Sequence, residues 1–530
     1  MRKVRNKNPA PVKNSGYSDG GASFKKKALQ TWRPMHLSAK SDVEMNFETL
    51  RSRAHDLATN SPVGSAAVNT SATNVINTGL KLFPRPDGKL LNLSVEEIRE
   101  WNKQTRREFE LWAESKNCDF YRRNNFSDLQ FTAYVSYLTD GDCFCLFRRK
   151  TPTKENPYSL RLQLVEGNRV SNPNSGINSV GVSPEVINPE NGNRIINGIE
   201  IDKDGAICAV HISNKVPGEI STSGENLEWK RIKFFGTFGT QNILHIAHDM
   251  RPEQFRGIPY LAPVIETLKQ MARYTGAELD SAIVQSYYSL FFTQSENLSS
   301  KDVYEITGDE ENPDEPCVDA SSFKLAPGTL AALPRGIDVK SVAATNAQST
   351  FQTFMQELTT HCGAALGIPF EVLMKSFKSS YSASRAALLQ ASDEFRQRRE
   401  WFARDFCQPI YEMFLSEAVA TGRINAPGFF DDPLVKKAWC GAEWYAPNGR
   451  LLDVTKELEG AEARIRLGLS TFQREAAELC GTDFEENVEQ LNAEKAIFNF
   501  VGNEGGDSDE NLDEYDEPTE DDEVLEQDSR

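Results

Sequence analysis

Arg251-Pro252-Glu253-Gln254-Phe255-Arg256-Gly257-Ile258-Pro259 runs into Tyr260-Leu261-Ala262-Pro263, and beyond it the chain changes character. From Leu261 onward Val264, Ile265, Leu268, Met271, Ala272, Leu279, Ala282, Ile283, Tyr287 and Leu290 recur at helical spacing, with no proline after Pro263. About thirty residues at ~1.5 Å each predict a rod of roughly 45 Å. An acidic, proline-containing stretch from Asp309 to Pro316 follows, then a short strand-like segment around Gly328 and Pro334-Arg335-Gly336. A second helix carrying Phe351, Phe354, Leu358, Ala365 and Leu366 ends at Gly367-Ile368-Pro369. Two helices therefore bracket a small inserted module at 291–346.

Past the second helix comes the polar run Lys375-Ser376-Phe377-Lys378-Ser379-Ser380-Tyr381. A long helix then carries Leu388, Phe395, Phe402, Phe406, Ile410 and Phe414, and Pro409 predicts a kink in it. Residues 425–450 read as loop, and two helices at 451–467 and 471–500 close the patterned chain.

On the other side, 140–250 reads as an all-β region. Its strand-like runs are 144–147, 160–165, 199–201, 207–212 and 243–246, separated by turn signals such as Asp140-Gly141 and Asp204-Gly205 and by a long polar loop at 172–194. Further back, helices are expected with Phe47, Leu50, Ala54 and Leu57 on one face, from Pro62 to Asn77, from Leu93 to Trp112 with a Ser94/Glu97 capping box, and from Phe126 to Leu138. The fold class is α+β.

The 530 residues carry a formal charge of −18, with 39% hydrophobic and 26% charged residues, a composition that excludes collagenous and wholly disordered chains. At ~150 residues per domain the length allows three or four domains, or fewer large ones. The charge is uneven. Residues 1–40 hold ten Lys/Arg against Asp19, and residues 503–530 hold fourteen Asp/Glu against Arg530, so an arm of +9 and a tail of −13 flank a body of −14. Both ends lack apolar period and read as disordered arms. An acidic body excludes a general nucleic-acid clamp, because tight phosphate binding needs Lys and Arg to displace counterions.

Nine cysteines are scattered without a paired C-x-x-C unit, which argues against a disulfide framework or zinc knuckle and for a reducing cytoplasm as the site of synthesis. No signal-peptide pattern and no apolar run near the ~20 residues of a bilayer span occur, so no membrane insertion is expected.

Catalytic strings fail on context. Gly16-Tyr17-Ser18-Asp19-Gly20 matches a nucleophile elbow but lies in the basic arm rather than on a strand-to-helix turn. His245 and His248 would point to opposite faces of a strand, with no cysteine pair nearby. Asp140 and Asp142, flanking a turn glycine, read as a solvated hairpin. No P-loop and no G-x-G-x-x-G string is present. No catalytic residue, metal site or cofactor is expected. Lys375 and Lys378 could touch a phosphate backbone loosely, although such a loop is more often a plain surface connection.

These pieces, in this order, resemble a tailed-phage portal protein of the lambda-like family. The resemblance covers about 45–500. It rests on Arg51-Ser52-Arg53 with Asn60-Ser61-Pro62; on Cys118-Asp119 through Asp140-Gly141-Asp142; most specifically on Arg251 to Pro263; and on Gly367-Ile368-Pro369 with Ser380-Tyr381-Ser382-Ala383-Ser384-Arg385. Asp453-Val454-Thr455-Lys456 stands where the family has D-P-x-K.

The resemblance implies a portal fold, with a β-rich wing, long stem helices, a small α/β clip and a helical crown, assembled as a ring of about twelve subunits at one capsid vertex. By position it implies a basic arm at 1–40, wing at 41–258, first stem helix at 259–290, clip at 291–346 and second stem helix at 347–368. The tunnel-loop region then falls at 369–382, the kinked helix, wing return and crown at 383–502, and an acidic tail at 503–530. Lys375, Ser376, Phe377, Lys378, Ser379, Ser380 and Tyr381 would face DNA, with Arg251, Pro252, Gln254, Arg256, Gly257, Pro259, Ser384 and Arg385 as structural motif residues. Implied partners are other copies of the chain, the terminase large subunit, major capsid and scaffold proteins, neck or adaptor proteins, and transient duplex DNA. Assembly would take place in the host cytoplasm and the final location would be the virion. Another head or neck adaptor, or a packaging enzyme, is the alternative.

Overall fold

The computed structural model describes residues 22–23, 26–173, 185–219, 226–237, 239–287, 291–294, 337–340, 347–378, 380–446 and 454–503. Most of the basic arm, most of the module between the long helices, Ser379 and the acidic tail from 504 lie outside the described residues. The chain divides into two compact units, Met1–Trp444 and Tyr445–Arg530.

In the first unit, α1 (Phe47–Asn60) and α2 (Pro62–Val75) are separated by Ser61, whose hydroxyl accepts from the Gly64 amide while Pro62 fills the first helical turn. Arg51 rather than Leu50 joins Phe47, Ala54 and Leu57 on the buried face of α1. Strand β1 (Lys81–Pro84) and the short α3 (Gly88–Leu91) lead to α4 (Val95–Ala113), which opens with the expected Ser94/Glu97 capping box. An equivalent box, Asn125/Asp128, opens α5 (Phe126–Asp140). Phe109 and Trp112 of α4 and Phe126 of α5 pack at ring separations of 5.6–5.7 Å, the first element of an aromatic core that later helices complete.

The β region is built as two sheets. β2 (Asp142–Arg149) pairs antiparallel with both β3 (Leu160–Glu166) and β9 (Ile243–Ala247), giving the order β3-β2-β9. The other sheet is a five-stranded meander, β4 (Glu185–Ile187), β5 (Arg194–Ile196), β6 (Ile199–Ile201), β7 (Ile207–Ser213) and β8 (Trp229–Lys233). Strands β4, β5 and β8 are too short or too polar to show a period, and β4 lies inside the segment expected to be loop. The sheets share one core, with Phe144, Leu146, Val165 and Ile243 from the first meeting Ile196, Ile199, Val210 and Ile212 from the second.

The rod after Pro263 begins with a 3₁₀ turn, Ala262–Val264, and continues as α6 (Ile265–Tyr287), about 35 Å long at ~1.5 Å per residue. Leu268 and Met271 near its start are buried, whereas Leu279 and Ile283 are exposed. Strands β10 (Phe291–Gln294) and β11 (Ile337–Lys340) pair antiparallel, so the inserted module leaves and re-enters the pair of long helices through a two-stranded ladder. The returning helix is α7 (Ala347–Leu366), and its Phe351 and Phe354 contact Tyr274 of α6 at 5.5 and 5.1 Å.

After α8 (Phe370–Met374) comes α9 (Tyr381–Phe402). The kink expected at Pro409 is realised as a π-helical turn, Ala403–Cys407, before α10 (Gln408–Ala420). The Gln408 amide bonds back five residues to the Ala403 carbonyl, so the widened turn lets the chain pass the missing proline donor without breaking. Phe406 and Phe414 complete the core around Phe109 and Phe126. Residues 425–450, expected to be loop, include α11 (Pro433–Trp439) and β12 (Ala442–Tyr445), which pairs with β1.

The second unit holds α12 (Val454–Arg466), α13 (Phe472–Leu479) and α14 (Phe484–Asn503). The single helix expected over 471–500 is broken by left-handed Gly481, and Asp483 accepts from the Glu485 and Glu486 amides to start the next helix. Arg464 pairs with Glu475 at 2.6 Å and Phe472 stacks on Phe484.

Candidate functional site

The Arg251–Pro259 segment encloses a buried ionic cluster. Arg256 is fully buried, and its Nε and Nη2 donate to the two carboxylate oxygens of Asp142 at 2.5 and 3.0 Å. Its remaining donors reach the carbonyls of Val170, Asn197 and Gly167, and Phe47 and Phe144 lie against the guanidinium plane. One side chain thereby ties α1, β2, the turn after β3 and the β5–β6 connection together. Asp142 also accepts from His245, which stacks on Phe144, and has Arg51 at 3.8 Å.

Burial by itself would raise the Asp142 carboxyl, but Arg256, His245 and Arg51 outweigh it and hold that group well below the usual carboxylate range. Burial, reinforced by the like charge of Arg256, lowers Arg51 to about 10. Asp140 is the opposite case. Burial dominates and raises it, and its Oδ1 has no hydrogen-bond partner beyond a 3.4 Å approach to His55 Nδ1.

Asp140-Gly141-Asp142 is therefore not a solvated hairpin. Gly141, at φ +87°, ends α5 and starts β2, and both carboxylates point inward. Gly141 and Gly257 touch backbone to backbone, so that a Cβ on Gly257 would sit 1.8 Å from the Gly141 carbonyl oxygen. His245 and His248 do not occupy one strand either. His248 follows β9 and meets Trp401 edge-on.

The other motif residues frame this cluster. Arg251 pairs with Asp42 at 2.5 Å and donates to the Leu37 carbonyl, holding the segment before α1. Gln254 is buried between the Met250 amide and the Arg256 carbonyl, Pro252 is exposed and Pro259 is buried.

The loop after α8 is short and pinned at both ends. Lys375 closes α8 in the left-handed conformation, φ +53°, with its amide on the Glu371 carbonyl, and Ser376 bonds the same carbonyl. Ser380 caps α9 by accepting from the Ala383 amide. Lys375, Phe377, Lys378 and Ser380 are exposed and Ser376 is half-buried. Ser379 lies outside the described residues, and of Tyr381 only its place at the start of α9 is described. Ser384 and Arg385 lie on the first turn of α9, both half-buried.

Sequence reasoning missed what holds the base of this loop. Arg398 donates to the Leu366 carbonyl at the end of α7 at 2.9 Å, pairs with Glu394, reaches the Ser71 hydroxyl and lies over the Tyr260 ring. The Tyr260 hydroxyl donates to the same Leu366 carbonyl at 2.6 Å, and the Tyr260 amide donates to Leu138. The adjacent Arg399 donates to the Asn74 and Val75 carbonyls. Two consecutive arginines thus cap the C-termini of two different helices, where carbonyls and the helix dipole both favour a cation. The only signal in sequence was the pair itself. A second missed feature is Glu200, fully buried, which accepts from Arg231, His211, Asn191 and Asn193.

Among the described residues no three His, Cys, Asp or Glu side chains converge as metal ligands, and no helix is long and apolar enough to cross a membrane. Residues 25–399 match the family described as phage portal protein, lambda family. The portal protein of Escherichia phage N15 is 25% identical over 489 residues, covering 89% of this chain and 88% of that one. Portal protein B of Escherichia phage lambda is 23% identical over 488 residues, with the same coverage. Among solved structures, the neck of a native gene transfer agent particle computed with C12 symmetry aligns with 82% of this chain and 92% of its own, at 13% identity and a TM-score of 0.41.

Proposed function

Because the chain belongs to the lambda family of phage portal proteins, we propose that it forms a ring of about twelve copies at one capsid vertex, with the loop 375–381 facing the DNA that passes through. In this reading α6 and α7 are the two stem helices, and 291–346 is the clip that meets the terminase during packaging and neck proteins afterwards. The kinked helix through 420 leads from the loop back to the body. Head assembly partners are the capsid and scaffold proteins.

The observation that carries this reading is the construction of the loop. Its two lysines are exposed on a short turn whose ends are fixed by a helix cap on each side, and Arg398 and Tyr260 hold the end of α7, the helix before α8. Sliding DNA needs contacts that are placed firmly but bind weakly, because each phosphate held by a lysine adds a barrier to movement. An acidic body repels the duplex toward the axis, and a sparse ring of cations makes brief contacts. Closed cyclic symmetry requires two different faces on each subunit. The exposed apolar residues Leu279 and Ile283 of α6 and Phe354 of α7 suit such a face. The role is mechanical and the chemical energy comes from a separate terminase.

Negative-stain imaging of the purified protein tests the reading. Rings of about twelve subunits with a channel wide enough for duplex DNA are expected; a stable monomer at high concentration, or a ring with no channel, overturns it. Deleting 503–530 is expected to leave the ring intact.

A further inference from the structure

We infer that a pocket at the edge of the core between the two sheets receives Tyr515 of this chain's acidic tail, within the segment Asp513-Glu514-Tyr515-Asp516-Glu517. The pocket encloses about 230 Å³. That is below the roughly 300–1,000 Å³ of sites that hold a whole small ligand, and it suits one inserted side chain. Its floor is Leu146 of β2, Val165 of β3 and Ile212 of β7, all buried members of the shared core. Trp229 of β8 forms a wall, and its indole N–H donates to the Ser171 hydroxyl at 2.9 Å, which fixes the ring.

Three cations line this pocket against one carboxylate, Arg148, Arg169 and Lys230 against Glu228. Neutral acceptors hold the two arginines and orient the guanidinium groups without neutralising them. Arg148 Nε donates to Gln163 Oε1 at 2.8 Å, and Arg169 Nε and Nη2 donate to the Ser213 carbonyl at 3.0 and 2.7 Å. Lys230 is exposed on β8. Among the described residues none of the three cations has a carboxylate within ion-pair distance, and the Glu228 carboxylate has no cation. The lining is therefore positive within a body of net −14.

Charge and size together select the occupant. The tail at 503–530 carries −13, and from 504 it lies outside the described residues. In it Tyr515 has two carboxylates on each side, Asp513 and Glu514 before it and Asp516 and Glu517 after it. The tyrosine ring matches the apolar floor and the Trp229 wall, its hydroxyl can donate to the unpaired Glu228 carboxylate, and the flanking acids meet the three cations. Leu512 and Leu525 of the same tail have no hydroxyl to offer. Duplex DNA is a poorer match, because a phosphate gains nothing from an apolar floor and meets Glu228 at the wall.

The test is photo-crosslinking of the full-length chain with p-azidophenylalanine, close to tyrosine in size, in place of Tyr515, and mapping of the adducts by mass spectrometry. Adducts on β2, β3, β7 or β8 are expected, with a yield that falls as salt is raised. Lys230→Glu changes an exposed side chain and should leave the melting temperature unchanged. Combined with Arg148→Gln it should lower the adduct yield by about tenfold. Adducts elsewhere in the chain, none at all, or an unchanged yield in the double variant overturn the proposal. A labelled duplex that binds the full-length chain and loses that binding in the same double variant overturns it in favour of a nucleic-acid site.

Discussion

Arg256 and Asp142, 114 positions apart, form a two-point ion pair whose side chains are both fully inaccessible to solvent. Every remaining Arg256 donor is used on a backbone carbonyl, so the pair acts as a junction between a helix and both sheets. Removing one partner leaves an uncompensated buried charge. Arg256→Met or Asp142→Leu should each cost about 3–5 kcal/mol in chemical denaturation. The double variant should recover part of that loss, and strict additivity would show that the two residues act independently.

The paired carboxylates predict opposite pH behaviour. Asp142 is depressed, so its stabilisation is present above the ordinary carboxylate range and is lost only as pH falls through its lower folded value. Asp140 is raised, so its contribution is present below its unfolded pKa and is lost as pH rises through the folded value. Asp140→Asn should therefore raise the melting temperature at pH 7, and the gain should vanish in acid below the ordinary carboxylate pKa. A gain that grows toward acid pH would contradict the assignment.

Gly257→Ala should be among the most damaging single methyl additions. Its Cβ has no room beside the Gly141 carbonyl, and a loss exceeding ~4 kcal/mol, or failure to express as soluble protein, is expected. Gly192→Ala is the control, since nothing surrounds that position and only its positive φ is strained.

Arg398 and Tyr260 share the Leu366 carbonyl, so their effects should not add. A cycle of Arg398→Ala, Tyr260→Phe and the double variant should give a coupling energy above ~0.5 kcal/mol. Hydrogen exchange should quicken across α8 and the loop base in the Arg398 variant. Unchanged exchange there would mean that the loop is held by its own caps.

Lys375→Ala with Lys378→Ala should leave ring assembly and melting temperature unchanged, because both side chains are exposed and structure-neutral. DNA packaging or retention should change. Loss of the ring would make the loop a structural element.

Long elements with a strong period were legible in advance. The Ser94/Glu97 box placed α4, Pro62 placed the start of α2, and the apolar spacing after Pro263 placed α6. Short pieces were not. β1 and β12 have four residues each and pair across more than 350 positions, and no local pattern encodes such a partnership. The loop 375–381 was visible as a polar gap between helices, but nothing local marks Arg398, whose partners Leu366, Ser71 and Tyr260 lie on other elements.

Residues Arg251 to Pro263, with the order of motifs around them, carried the resemblance to the portal family in the sequence, and the start of α6 was legible there because a proline-bounded entry into an apolar helical period is written in local residue types. The burial of Asp142 was decided only by the tertiary structure. In sequence, an aspartate beside a glycine reads as a turn, and what inverts that reading is an arginine 114 residues away that replaces the lost water with charge and hydrogen bonds. The same holds at Leu366, whose carbonyl is an ordinary helix end until Arg398 and Tyr260 reach it from other parts of the chain.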